Sequence, residues 1–169
     1  MSVLRFLAPA LLLAGCATVP APVPPAGPPP PSAAEILAAV REAGRDGVEL
    51  VVAPLVDPQV ADLRERAARA EAGGRFAEAE ADIAHALALS PGDPDLLQWR
   101  AELLLMLGRR EEAAASAQES AQRGPRSGPL CRRNWTLLAY LREGWGEAEN
   151  AASARAMGEA CTIAPPVRM

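Results

Sequence analysis

The chain has 169 residues and a formal net charge of −4, from 17 basic and 21 acidic side chains. This mildly acidic balance argues against nucleic-acid binding, which favours clustered basic residues. Apolar residues make up 50% of the sequence but aromatic residues only 4%, and alanine accounts for much of the apolar fraction. Such a composition favours closely packed helices over a β-sandwich, and the length suits one small folded domain.

Residues 1–15 have the features of an export signal. A short start with the basic Arg5 precedes an apolar run at 6–13, which is shorter than the roughly 20 residues of a membrane-spanning helix. The run ends in the letters LAGC at 13–16, which resemble the lipobox of bacterial lipoproteins. The resemblance implies lipidation of Cys16 with fatty acids such as palmitate. Ala17 then implies sorting to the outer membrane, facing the periplasm. The alternative is an ordinary secretory signal with a chance cysteine.

The next segment, 16–31, predicts a tether. Eight of the twelve residues at 20–31 are proline, which favours extended polyproline II structure. At about 3.1 Å per residue, such a tether spans up to ~50 Å. It is interpreted as a passive spacer, with a ligand for a proline-binding groove as the alternative.

Residues 32–57 predict one helix and one extended segment. Ser32 and Glu35 have the spacing of a capping box, so we expect a helix over 33–43 that carries Ile36, Leu37 and Val40 on one face and stops at Gly44. Residues 48–52 are the one strand-like run of the sequence. Such a run either packs as extended chain on the helices or pairs with another chain.

Residues 60–127 contain an internal repeat. Shifting the chain by 34 residues aligns Gly74 with Gly108 and Pro91 with Pro125. A 34-residue period resembles the tetratricopeptide repeat (TPR), a helix–turn–helix unit. The local chemistry agrees, because Asp-Pro pairs at 57–58 and 93–94 are typical helix starts. The resemblance implies an all-α fold, a short TPR-like solenoid of about three hairpins over 58–169, with units at about 60–93, 94–127 and 129–161.

The third unit follows the pattern less closely than the first two. Placing Trp135 at the first aromatic position of the repeat brings Gly146 to the turn position. This register needs a four-residue insertion in the loop around 124–130. A competing register passes through Tyr140 and Gly144.

The resemblance also predicts a binding groove, because the first helices of stacked TPR units line one. We call the inward positions the predicted groove residues: Arg64, Glu71, Gln98, Glu102, Leu105, Met106 and Tyr140. They combine separate charges with an apolar patch, which fits an extended or helical segment of an envelope protein. Two alternatives stay open: these positions are merely solvated, or the helix at 33–43 covers the groove.

Two cysteines remain after Cys16. Cys131 precedes the first helix of the third unit and Cys161 closes the second. Because these ends of an antiparallel hairpin are neighbours, and exported proteins meet an oxidising compartment, we predict a disulfide. The alternative is two free thiols.

The sequence predicts no enzyme. His85 is the one histidine, no Cys-x-x-Cys occurs, and no nucleophile or phosphate-binding motif is present. We therefore expect no metal and no cofactor. The chain resembles TPR lipoproteins that serve as envelope assembly factors, which implies a membrane-anchored protein-interaction module that acts as an assembly or scaffold factor. The alternatives are an accessory regulator of a periplasmic cell-wall enzyme and a homo-oligomer joined through 48–52.

Overall fold

The computed structural model describes residues 29–45 and 57–162. Over these ranges the chain forms seven helices and no strand, which confirms the all-α prediction for the described residues. The signal, nearly all of the tether and the strand-like run at 48–52 lie outside them. The helices are α1 (Ala33–Arg45), α2 (Pro58–Ala72), α3 (Phe76–Leu89), α4 (Pro94–Met106), α5 (Arg110–Arg123), α6 (Pro129–Gly144) and α7 (Ala148–Ala160).

Six of these helices form three consecutive hairpins, α2–α3, α4–α5 and α6–α7, and each second helix packs on the next first helix. Two serines bind α5 to α4: Ser116 Oγ donates to the Leu97 carbonyl at 2.8 Å, and Ser120 Oγ to that of Pro94 at 2.6 Å. The arrangement is that of a TPR-like helical repeat. Within the described residues, none of the helices has the length and apolarity needed to cross a membrane.

Helix α1 begins at the predicted capping box. The Glu35 amide donates to Ser32 Oγ at 3.3 Å, and the Ser32 amide donates to Glu35 Oε2 at 2.8 Å. The helix does not stop at Gly44 as predicted but continues to Arg45. A Cβ at Gly44 would lie 2.7 Å from Cδ of Arg133. The glycine therefore permits close approach to α6 and does not end the helix.

Local signals set the starts of the first two hairpins. Asp57 accepts a hydrogen bond from the Gln59 amide at 2.8 Å, and Asp93 accepts one from the Asp95 amide at 2.9 Å. Both helices have proline in their first turn, where no backbone donor is needed. The predicted Asp-Pro caps are confirmed.

The three hairpin turns share one backbone feature. Gly74, Gly108 and Gly146 have φ values of +72°, +74° and +76°, a region that side chains disfavour. Gly144 is instead the last residue of α6. The structure therefore matches the register through Gly146 and not the competing one.

The insertion in the third unit lies mostly in a helix. We expected the extra residues in the loop around 124–130, but α6 has 16 residues where α4 has 13. The connection before α6, residues 124–128, is only one residue longer than the connection before α4, residues 90–93. The added length extends α6 at its N-terminal end, where Cys131 and Arg132 are buried.

Helix α4 joins two hydrophobic cores. Leu96 and Leu103 pack with the side chains of α2 and α3, whereas Leu104 and Leu105 pack with those of α1, α5 and α6. All four are essentially inaccessible to solvent. Because α4 is covered on both sides, the C-terminal part of the helix is apolar on every side. Helix α4 thus connects the core around α2 and α3 to the core around α1, α5 and α6.

Candidate functional site

The first helices α2, α4 and α6 carry the predicted groove residues, and α1 lies on this side of the molecule. It packs extensively on α6 and also on α4. Ile36 and Val40, four residues apart, are buried in the same core as Leu105 and Leu137. Helix α1 therefore occupies part of the predicted groove.

A buried carboxylate lies beneath α1. Glu102 is fully inaccessible to solvent and receives hydrogen bonds from three side chains. Arg41 Nε donates to Oε2 at 3.0 Å, Arg133 Nη2 donates to Oε1 at 2.7 Å, and Gln98 Nε2 donates to Oε1 at 3.1 Å. The two arginines come from α1 and α6, so one carboxylate on α4 ties three helices together.

Arg41 stays charged in this setting. Its partial burial would lower the pKa, but the nearby carboxylates of Glu102 and Glu71 raise the pKa above its ordinary value. Arg41 also forms an ion pair with Glu71 on α2. The helix α1 is thus joined to all three first helices.

On one side of α1 lies a cavity of about 490 Å³, which we call the Trp99 pocket. Trp99 Nε1 donates to Glu71 Oε2 at 2.8 Å, and the Arg64 guanidinium carbon lies 5.5 Å from the Trp99 ring centroid. Arg64 also pairs with Asp95. The pocket is lined by Arg41, Gly44, Arg45, Arg64, Glu71, Asp95, Trp99, Pro129 and Arg133.

Beyond the end of α1 lies a second cavity of about 480 Å³, which we call the Tyr140 pocket. Small side chains of α6 and α7 give it an apolar floor, with Tyr140 and charged residues around it. It is lined by Ala43, Arg132, Thr136, Ala139, Tyr140, Glu143, Ala154, Arg155, Gly158, Glu159 and Thr162.

The structure divides the predicted groove residues into separate sets. Arg64 and Glu71 line the Trp99 pocket, and Tyr140 lines the pocket named after it. Met106 is half-buried and lines neither cavity. The prediction of an open groove is corrected at Gln98, Glu102 and Leu105, which are buried. At Glu102 this agrees with the alternative in which the N-terminal helix covers the groove, because Arg41 of α1 binds its carboxylate.

Sequence reasoning missed Trp99, Arg41, Asp95 and Arg133 in the Trp99 pocket. Trp99 directly follows Gln98, one of the predicted groove residues. A large aromatic residue next to a groove position could have indicated that Trp99 belongs to the site. Arg41 carried no such signal, because its partners Glu71 and Glu102 lie 30 and 61 residues away.

The two predicted cysteines are joined in the structure. Cys131 and Cys161 form a disulfide with their Cα atoms 5.7 Å apart, connecting the start of α6 to the end of α7. The Gly128 amide also donates to the Cys161 carbonyl at 2.8 Å. Both contacts close the open end of the third hairpin. Cys16 lies outside the described residues.

His85 is exposed on α3. Among the described side chains, no group of histidine, cysteine and acidic residues is arranged to hold a metal ion.

Comparison with known proteins agrees with this arrangement. No curated protein matches the chain. Residues 70–141 match the tetratricopeptide repeat family. The match runs from the end of α2 into α6 and includes the whole α4–α5 hairpin. In sequence and in helix arrangement, this central part of the chain is a tetratricopeptide-like repeat.

Proposed function

We propose that this chain is a membrane-anchored protein-interaction module of the bacterial cell envelope, and that it acts as an assembly or scaffold factor. The observation that carries the proposal is the match of residues 70–141 to the tetratricopeptide repeat. Such repeats generally mediate protein–protein interaction and are typically not enzymes. The partner is an envelope protein.

The sequence supports the anchor. The LAGC letters at 13–16 and the proline-rich stretch at 20–31 have the order of a lipid attachment site followed by a spacer. Acylation at Cys16 by more than one chain gives stable membrane association. We place the module at the outer membrane, facing the periplasm.

The two pockets beside α1 support the interaction role. Each combines charged side chains with an aromatic residue, Trp99 in one and Tyr140 in the other. Aromatic and arginine residues are the types that contribute most to protein–protein binding. Partner contacts should therefore concentrate on the α1 side of the molecule.

Site-specific photo-crosslinking in intact cells tests the proposal. A photoreactive amino acid is placed at Arg45, on the rim of the Trp99 pocket, or at Glu159, on the rim of the Tyr140 pocket; both residues are exposed. His85, exposed on α3, is the matched control position. We expect adducts with an envelope protein from the pocket positions and none from His85.

The identity of the adduct separates the candidate functions. Components of an envelope assembly machine support the scaffold role, whereas a cell-wall enzyme assigns the regulatory role. Absence of adducts at both pockets, or equal adducts at His85, would contradict an interaction site on this side.

A further inference from the structure

We infer that the surface beneath α1 is a docking site for an amphipathic helix of the partner that carries an arginine, and that α1 is the resident occupant which this helix replaces. The inference rests on the proposed interaction role and does not depend on the membrane anchor. The surface belongs to α4 and α6 and includes the buried Glu102.

Helix α1 contacts the repeat in the way that a bound helical peptide would. Of its 13 residues, Ile36 and Val40 are the two that are fully buried. They lie four residues apart on one face and enter the core beside Leu105. This is the spacing with which an amphipathic helix places anchors in a groove. Ala33 and Leu37 pack beside them against the same core, so a competing helix of the same pattern would bury the same face.

The charge at the site specifies one residue of the incoming helix. Oε1 of Glu102 is held by Arg133 and Gln98, both of which belong to the repeat. Oε2 accepts its hydrogen bond from Arg41 of α1. When α1 leaves, this buried oxygen loses its donor, and an unpaired buried carboxylate oxygen is costly. A replacing helix must therefore supply a donor there, and arginine also matches the charge.

The direction of the docked helix is also specified. Arg132 Nε donates to the Ala43 carbonyl at 2.9 Å, near the C-terminal end of α1. Helix C-termini present unpaired carbonyl oxygens, which arginine side chains bind well. We expect the partner helix to lie with its C-terminal end at Arg132.

The test uses the purified chain and a labelled peptide with the sequence of residues 33–45. Because α1 fills the site in the wild-type chain, the peptide should bind it weakly. Arg41→Glu in the chain weakens α1 but leaves the site residues of α4 and α6 unchanged. We expect it to bind the peptide at least tenfold more tightly than the wild-type chain, as measured by fluorescence anisotropy.

Two controls make the result specific. Arg69→Glu in the chain makes the same charge change, but Arg69 is exposed on α2 and pairs with Glu65 within that helix; this variant should bind the peptide as weakly as the wild type. A peptide carrying Arg41→Glu should lose binding to the Arg41→Glu chain, because it cannot donate to Glu102.

A folded Arg41→Glu chain, verified by circular dichroism, that gains no affinity would overturn the inference and make α1 a permanent part of the fold. Hydrogen exchange on the wild-type chain decides the matter if that variant does not fold. Excess peptide should speed exchange of the α1 amides and leave those of α5 unchanged; no change in α1 would refute replacement. Wild-type dimers that the peptide dissociates would assign the site to a second copy instead. The photo-crosslinking result at the pocket rims is independent of these outcomes.

Discussion

Arg41 on α1 donates a hydrogen bond of 3.0 Å to Glu102, a fully buried carboxylate on α4 that lies 61 residues further along the chain. This contact places α1 on the surface where the resemblance to the repeat predicts that a ligand binds. The Trp99 pocket and the Tyr140 pocket each include residues of α1 and of the repeats. The partner helix that we infer would therefore meet a composite surface or replace α1.

The first prediction concerns the Glu102 carboxylate. Glu102→Gln should lower the free energy of unfolding by about 3 kcal/mol in urea denaturation, because it removes the buried charge that faces Arg41 and Arg133. Glu42→Gln is the control, since Glu42 pairs on the surface with Arg45; its effect should stay under about 0.5 kcal/mol. Equal effects of the two substitutions would show that the buried network does not hold α1.

A second prediction distinguishes the two registers of the third hairpin. Gly146→Ala should lower the free energy of unfolding by about 1–2 kcal/mol, because Gly146 has a φ of +76°. No atom lies within 4 Å of an added Cβ there, so the loss comes from the backbone alone. Gly144→Ala should be neutral or raise stability by less than about 1 kcal/mol, since Gly144 is helical. The reverse order in urea denaturation would favour the register through Gly144.

The third prediction is that Cys131 and Cys161 are oxidised in the folded protein. Mass spectrometry after alkylation without reduction should find neither thiol modified. Their sequence separation is 30, and closing such a loop contributes roughly 3–4 kcal/mol in the chain-entropy model. Replacing both with serine should lower stability by about that amount and remove the response to reductant. Two alkylated thiols would contradict the pairing.

The fourth prediction concerns pH and the start of α1. Hydrogen bonds from the Ser32 amide and hydroxyl hold the pKa of Glu35 below its ordinary value of 4.5. Since the folded-state pKa is the lower one, this stabilisation is complete above the ordinary pKa and is lost as pH falls through the folded-state pKa. NMR titration should show a Glu35 midpoint below 4.5 that Ser32→Ala raises. An unchanged midpoint in Ser32→Ala would show that the capping box does not form in solution.

The fifth prediction tests the anchor. Cys16→Ser should abolish metabolic labelling with a fatty-acid analogue and prevent cleavage of the signal, because the proposed lipoprotein assignment makes this thiol the acylated group. Cys131→Ser is the matched control and should be labelled as the wild-type chain is. Labelling that persists in Cys16→Ser would refute the lipoprotein assignment.

The sequence by itself determined the helix boundaries and turns of the repeat. Asp57, Asp93 and the three turn glycines act within a few residues along the chain, through caps and backbone conformation. Such interactions join residues that are close together in the sequence, so the residue types alone predict them. The same holds for the capping box at Ser32. Gly44 was misread because its role is not local: it allows α1 to approach Arg133.

Tertiary structure alone decided what covers the first helices. The repeat pattern predicted Gln98, Glu102 and Leu105 in an open groove, but all three are buried, and α1 of the same chain packs on α4. The amphipathic pattern of α1 predicts that Ile36 and Val40 are buried. It does not identify the surface that buries them. That choice depends on the shape and charge that α4 and α6 present together. Such complementarity exists only once the hairpins have stacked.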